Sequence, residues 1–168
     1  MPDQPIRILF LCTGNSARSQ IAEALLSHKA PGRFVVGSAG THPAPMVHLD
    51  AERALANVGI DWSGRCPKTV ESVMGQRWDL VVTVCDDAKE SCPLFPGRAL
   101  VAHWGMPDPA AITDPAARER AFAATVSVLS SRLDQLLAIR HEKLLSPAGE
   151  SRLREIGSVF PGQSATTA

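Results

Sequence analysis

The chain has 168 residues, long enough to bury a real apolar core without staples, and its 17 Lys plus Arg balance 17 Asp plus Glu. A net charge of zero supplies no basic footprint, so no nucleic acid is expected as a partner. The longest early apolar run, residues 8–12, is too short for a signal-peptide core or a membrane span, and a soluble, cytoplasmic protein with no membrane contact is expected.

Residues 6–11 read as a short strand running into the turn cluster Thr13-Gly14-Asn15-Ser16, after which Ile21, Ala22, Ala24, Leu25 and Leu26 sit at helical spacing. A second strand is expected over 33–36 and a second helix over 51–58, closed by Gly59. The β-branched run 79–84 suits a central parallel strand covered on both faces, and 99–103 makes a fourth. A loop with Met106-Pro107-Asp108-Pro109 then leads to a long helix over 115–141, capped by Asp114 with Pro115 at its first position. Strands alternating with helices predict an α/β fold, a parallel sheet wrapped by helices whose ligands bind outside the carboxyl ends of the strands. Cys12, Cys85 and Asp108 all follow strand ends.

Residues 1–141 are read as the catalytic domain. Residues 142–168 are an extension, helical over 150–156 and then a frayed tail rich in Gly, Ser, Thr and Ala. His28, His42 and His48 fall in polar or turn contexts and are expected in solvent, while Trp62, Trp78 and Trp104 are expected at the core edge.

The segment Cys12-Thr13-Gly14-Asn15-Ser16-Ala17-Arg18-Ser19 places one thiol and one guanidinium six positions apart across a small-residue turn entering a helix. Such a turn lets successive backbone N–H groups converge on one point that the helix dipole also favours for negative charge. A tetrahedral oxyanion fits there, held by Thr13, Gly14, Asn15, Ser16, Ala17 and Ser19 and gripped by the planar fork of Arg18, with Cys12 beneath it as a stabilised thiolate nucleophile. Gly14 is expected to supply the unusual backbone angle, and Asn15 is among the few other residues that tolerate positive φ. The Cys-x5-Arg spacing alone is common; its strand-loop-helix setting gives it weight. No Gly-Lys-Ser/Thr follows, which disfavours a nucleotide-binding loop.

The four cysteines, Cys12, Cys66, Cys85 and Cys92, suggest catalytic or redox use in a reducing compartment. They lack the Cys-x-x-Cys pairs of zinc sites, so no metal or other cofactor is expected. Asp108, directly after the fourth strand, suits a general acid, with a plain helix cap before Pro109 as the alternative.

Cys12 through Glu23, together with Ser38-Ala39-Gly40, resembles the low-molecular-weight tyrosine phosphatase fold and its arsenate reductase branch over residues 6–140. Gln20, Cys85, Cys92-Pro93 and His103-Trp104-Gly105 ahead of Asp108-Pro109 resemble the thioredoxin-coupled reductases in particular. The resemblance implies a three-layer sandwich with a four-stranded parallel sheet flanked by helices, arsenate as substrate and thioredoxin as reductant. It also implies a relay in which Cys12 attacks arsenic with Asp108 as acid, Cys85 forms a disulfide with Cys12, and Cys92 takes over Cys85. If the segment from Cys85 to Cys92 is helical, the two Cα atoms stand roughly 10 Å apart, so their disulfide requires that segment to unwind.

The absence of tyrosine, with Ala110-Ala111 after the Asp-Pro pair, suits a bare inorganic anion better than a phenol ring. Lys68 stands where some relatives carry an Asp that helps bind potassium, which argues against that ion here. Cys66 matches none of the relatives' redox cysteines and reads as an ordinary thiol. The alternatives are a phosphatase that leaves Cys85 and Cys92 idle, a reductase served by a small thiol such as mycothiol, and a redox-sensing or arsenic-binding protein without turnover.

Overall fold

In the computed structural model, which describes residues 4–86, 92–93, 95 and 97–158, four parallel strands form one sheet in the order β2-β1-β3-β4. The strands are β1 (Ile6–Cys12), β2 (Phe34–Gly40), β3 (Leu80–Thr83) and β4 (Leu100–His103). Ile8, Leu9, Phe10 and Leu11 are fully buried, as expected of a parallel strand with neighbours on both edges and helices over both faces. The run around β3 is likewise central, paired to β1 on one side and β4 on the other.

Among the described residues five helices flank the sheet: α1 (Arg18–Lys29), α2 (Leu49–Ala56), α3 (Val70–Met74), α4 (Pro115–Leu137) and α5 (Pro147–Ser158). Every residue of α1 from Ser19 to Leu26 is buried, so this helix is core on all sides. α4 shows the one-faced pattern instead, burying Phe122, Val126, Leu129, Leu133 and Leu136 at intervals of three and four. Asp114 caps α4 by accepting from Ala117 N–H at 2.8 Å, with Pro115 in the first turn, as its sequence predicts.

Three differences from the sequence reading bear on the site. β2 is longer than residues 33–36 and runs to Gly40, because Ser38, Ala39 and Gly40 pair with Phe10, Leu11 and Cys12. α4 ends at Leu137, short of His141, and a 3-10 turn (His141–Lys143) follows. The chain then re-enters the core: Leu144, Leu153 and Ile156 are buried, and Trp104 Nε1–H donates to Leu153 O at 2.9 Å. α5 thus covers the edge strand β4 and leaves Trp104 fully buried rather than at the core edge. The predicted tail, 162–168, lies outside the described residues.

Candidate active site

Cys12 is the last residue of β1 and Arg18 the first of α1, so the five residues between them form the tight loop that the sequence implies. The left-handed backbone falls on Asn15, with φ of 49°, and not on Gly14. Asn15 tolerates it because its side chain is tied down on both ends. Its Nδ2 donates to Ser19 Oγ at 2.8 Å and to Ser38 Oγ at 2.9 Å, and its Oδ1 accepts from Lys68 N–H at 2.8 Å and Gln20 Nε2 at 3.1 Å. Gln20 is fixed in turn by Trp62 Nε1–H at 2.8 Å.

A second segment brackets the loop from outside. The N–H groups of Thr41, His42, Ala44 and His48 donate to the carbonyls of Cys12, Thr13, Gly14 and Ser16 at 2.8 to 3.2 Å. With those carbonyls engaged outward, the loop's amides are left for its interior, and Asn15 N–H already points to Cys12 Sγ at 3.1 Å. His48, expected in solvent, begins α2 as its cap: its Nδ1 accepts from Asp50 N–H at 3.1 Å. Gly40 closes the bracket, since a Cβ there would lie 2.5 Å from Thr13 O and 2.9 Å from Asn15 N. The Ser38-Ala39-Gly40 motif was the sequence signal for this packing, whereas nothing in 41–48 announced it.

Cys12 is 2 % exposed and its Sγ lies 2.8 Å from Ser19 Oγ. Burial pushes its thiol up, against the opposing pull of the Ser19 hydroxyl, the Ser19 and Asn15 amides and the Arg18 charge. The expected stabilisation of the thiolate is therefore present but outweighed by desolvation. Ser16 contributes its carbonyl to the bracket, and Ala17 precedes α1 without a side-chain cap bond. Behind the loop, Ser38 Oγ donates to the buried Glu23 Oε2 at 2.5 Å, and Lys68 Nζ stands 3.9 Å from the same oxygen. Burial raises the Glu23 carboxyl, with Ser38, Lys68 and Arg65 opposing. The ammonium of Lys68 already faces this carboxylate, and these residues do not fit a potassium ion.

Cys85 is buried beyond the end of β3, and its Sγ lies 3.3 Å from Thr13 Oγ1, so a second thiol sits against the oxyanion loop. Cys92 is half-buried with its thiol directed to Pro93 O at 3.7 Å, and burial pushes this thiol up as well. Residues 87–91, on which the expected unwinding falls, lie outside the described residues. Cys66 is exposed.

Asp108 is exposed in the loop between β4 and α4 and accepts from Ala110 N–H at 3.0 Å, capping a 3-10 turn (Pro109–Ala111). Three guanidiniums hold the carbonyls of this loop. Arg132 reaches Trp104 O and Gly105 O at 3.0 and 3.3 Å, Arg18 reaches Met106 O at 3.0 Å, and Arg118 reaches Ile112 O and Thr113 O at 3.3 and 3.4 Å. None of the three was visible in the sequence as a loop support, because each acts across 5 to 88 residues on backbone oxygens that have no sequence signature.

The model for low molecular weight phosphotyrosine protein phosphatases matches residues 7–146. The chain belongs to this family. Among curated relatives, an arsenate reductase of Bacillus subtilis is 42 % identical over 103 residues, covering 61 % of this chain and 73 % of its own. A thioredoxin-dependent arsenate reductase of Corynebacterium glutamicum superposes with a TM-score of 0.63 at 29 % identity, covering 82 % of this chain; the match spans only 63 % of that protein. A low molecular weight protein tyrosine phosphatase of T. tengcongensis superposes with a TM-score of 0.67 at 24 % identity, over 79 % of this chain and 98 % of that one, and shares the fold. α5 lies beyond the segment that the phosphatase family model matches, yet it packs directly on the strand leading to Asp108.

Proposed function

We propose that this chain reduces arsenate to arsenite by a relay of thiols, with Cys12 as nucleophile and thioredoxin as the reductant. The observation that carries the reading is the Cys85 thiol 3.3 Å from Thr13, at the loop that bears the nucleophile. A hydrolase of this family needs Cys12, Arg18 and an acid, but no second thiol there. The names of the Bacillus and Corynebacterium relatives support the same chemistry. Among the described residues no helix is long and apolar enough to cross a membrane, and we place the reaction in the reducing cytoplasm, where thiols stay reduced.

In the first step Cys12 sulfur bonds to arsenic as an arsenic–oxygen bond breaks. Asp108 protonates the departing oxygen, which leaves as water, and the proton lost from the Cys12 thiol restores the balance. Arg18 and the amides of residues 13–19 hold the charge on the remaining oxygens. Cys85 then attacks Cys12 sulfur; the sulfur–sulfur bond forms, the sulfur–arsenic bond breaks, and its electron pair stays on arsenic, which departs as arsenite. Cys92 displaces Cys12 from the disulfide, and the dithiol of thioredoxin reduces the Cys85–Cys92 bond.

The test is arsenate-dependent NADPH consumption with thioredoxin and its reductase. Full turnover is expected of the native chain, and a Cys92→Ser variant is expected to release one equivalent of arsenite and stop. Sustained turnover by that variant with thioredoxin would sink the relay. Phosphatase activity undiminished in a Cys85→Ala variant, with no arsenite from the native chain, would replace this reading with hydrolysis of a phosphate ester.

A further inference from the structure

Arg118 lies in the second turn of α4, outside every motif of the oxyanion loop, and its guanidinium spans two separate parts of the site. Its Nε donates to Asp50 Oδ2 at 2.8 Å, at the start of α2. Its Nη1 donates to Ile112 O and Thr113 O, in the loop that carries Asp108. Asp50 lies two residues after His48, whose N–H holds Ser16 O, so the Asp50 end of the contact belongs to the bracket around the oxyanion loop. Arg118 and Asp50 are both largely covered, with side-chain exposures of 26 and 10 %. The other ionisable side chains facing this carboxylate among the described residues are Arg53, with Nη1 at 3.2 Å, and the His48 ring, with Nδ1 at 4.0 Å.

We infer that Arg118 is a positioning residue that sets the acid loop of Asp108 against the oxyanion loop of Cys12. The inference rests on the reading of Cys12 as nucleophile and Asp108 as acid. A general acid is effective only within hydrogen-bond reach of the atom it protonates. Asp108 is exposed, and its described hydrogen bond is to its own turn, so its side chain alone does not fix its place relative to Cys12. The backbone of its loop must do so. Arg132 and Arg18 fix the entry to that loop, at residues 104–106; Arg118 fixes its exit and ties it to the bracket. Asp50 supplies the charge that keeps the guanidinium from turning to solvent, and the Arg118 hydrogen bond, helped by its charge, holds the Asp50 carboxyl below its usual range. A lysine carries the same charge but offers no planar fork, so it keeps the Asp50 contact and loses the paired carbonyl contacts.

The experiment compares the full-length native chain with Arg118→Gln, Arg118→Lys and Asp50→Asn. The first readout is amide hydrogen exchange at Ala110 and Ile112, which reports the acid loop whatever reaction the protein performs. Exchange there is expected to accelerate several-fold in Arg118→Gln, while the amides of α1 stay protected. The second is the single-turnover rate of arsenite release beside the dissociation constant for inorganic phosphate. The rate is expected to fall about tenfold in Arg118→Gln, with phosphate affinity changed less than about twofold, and Arg118→Lys is expected to fall between. Unchanged exchange at Ala110 and Ile112 would overturn the inference, as would equal losses in rate and phosphate affinity, which would place the effect on anion binding. Accelerated exchange in a chain whose native form makes no arsenite would retain the strut and reject the reaction.

Discussion

Ser19 stands 2.8 Å from Cys12 Sγ and is the strongest of the groups that oppose desolvation of that thiol. A hydrogen bond to a charged group contributes about 1.5 kcal/mol, roughly tenfold in an equilibrium. Ser19→Ala is therefore expected to move the Cys12 thiol further up and to cut the thiolate at neutral pH by about tenfold. Alkylation of Cys12 by iodoacetamide followed against pH measures this directly, and a profile superimposed on the native one would refute it. Gly40 makes a second prediction at this scale. Its missing Cβ is what allows Thr13 O and Asn15 N to approach β2, and the clash would be with backbone rather than with a side chain that moves aside. Gly40→Ala is expected to cost about 1–3 kcal/mol of stability and to weaken phosphate binding with it. Denaturation curves and a phosphate titration on the same variant check both halves.

At the scale of elements, α5 decides whether the edge strand and Trp104 are covered. Leu153 is 1 % exposed on the face of α5 toward β4, and its carbonyl takes the indole N–H of Trp104. Leu153→Ala is expected to destabilise the fold by about 2–5 kcal/mol and to shift Trp104 emission to the red. Urea denaturation with a fluorescence readout tests it, and a loss below 1 kcal/mol would mean that α5 is only loosely seated. This element also shows where the sequence was legible and where it was not. The strand-loop-helix around Cys12 was readable, because a local run of apolar residues, turn residues and helical spacing encodes it. The cap and first turn of α4 were readable from Asp114-Pro115 for the same reason. The docking of α5 was not, because Leu153 and Ile156 become core only against a strand some fifty residues earlier, and the local pattern there is short and weak. The end of β2 at Gly40 was missed because a strand carrying Gly, Ser, Ala and Gly shows no β-branched signal, and its reason for being extended is the oxyanion loop beside it.

Across the whole molecule, two buried carboxyls that answer to opposite forces shape the dependence of stability on pH. Asp50 has a lowered value in the fold, first through its Arg118 hydrogen bond, so its contribution is present above its ordinary value of 3.8 and is lost as pH falls through the folded one. Glu23 has a raised value, through burial, so its contribution is complete below its ordinary value of 4.5 and is lost as pH rises through the folded one. The two together give a stability that rises out of strong acid and declines again as Glu23 is forced to ionise beside Ser38 and Lys68. Glu23→Gln keeps an oxygen for the Ser38 hydroxyl but has nothing to ionise. Relative to the native chain it is expected to gain stability steadily as pH rises from 4.5, with the gain complete once native Glu23 is fully charged. Asp50→Asn is expected to behave in the opposite sense, matching the native chain best in strong acid, falling behind it as pH rises toward 3.8 and staying behind by a constant amount above that. Urea denaturation of the three proteins at intervals from about pH 2 to 8 reads both differences. Curves for Glu23→Gln and the native chain that run parallel over that range would show that Lys68 fully compensates the buried carboxylate, and that the chain Glu23–Ser38–Asn15 reaches the nucleophile's loop already charged.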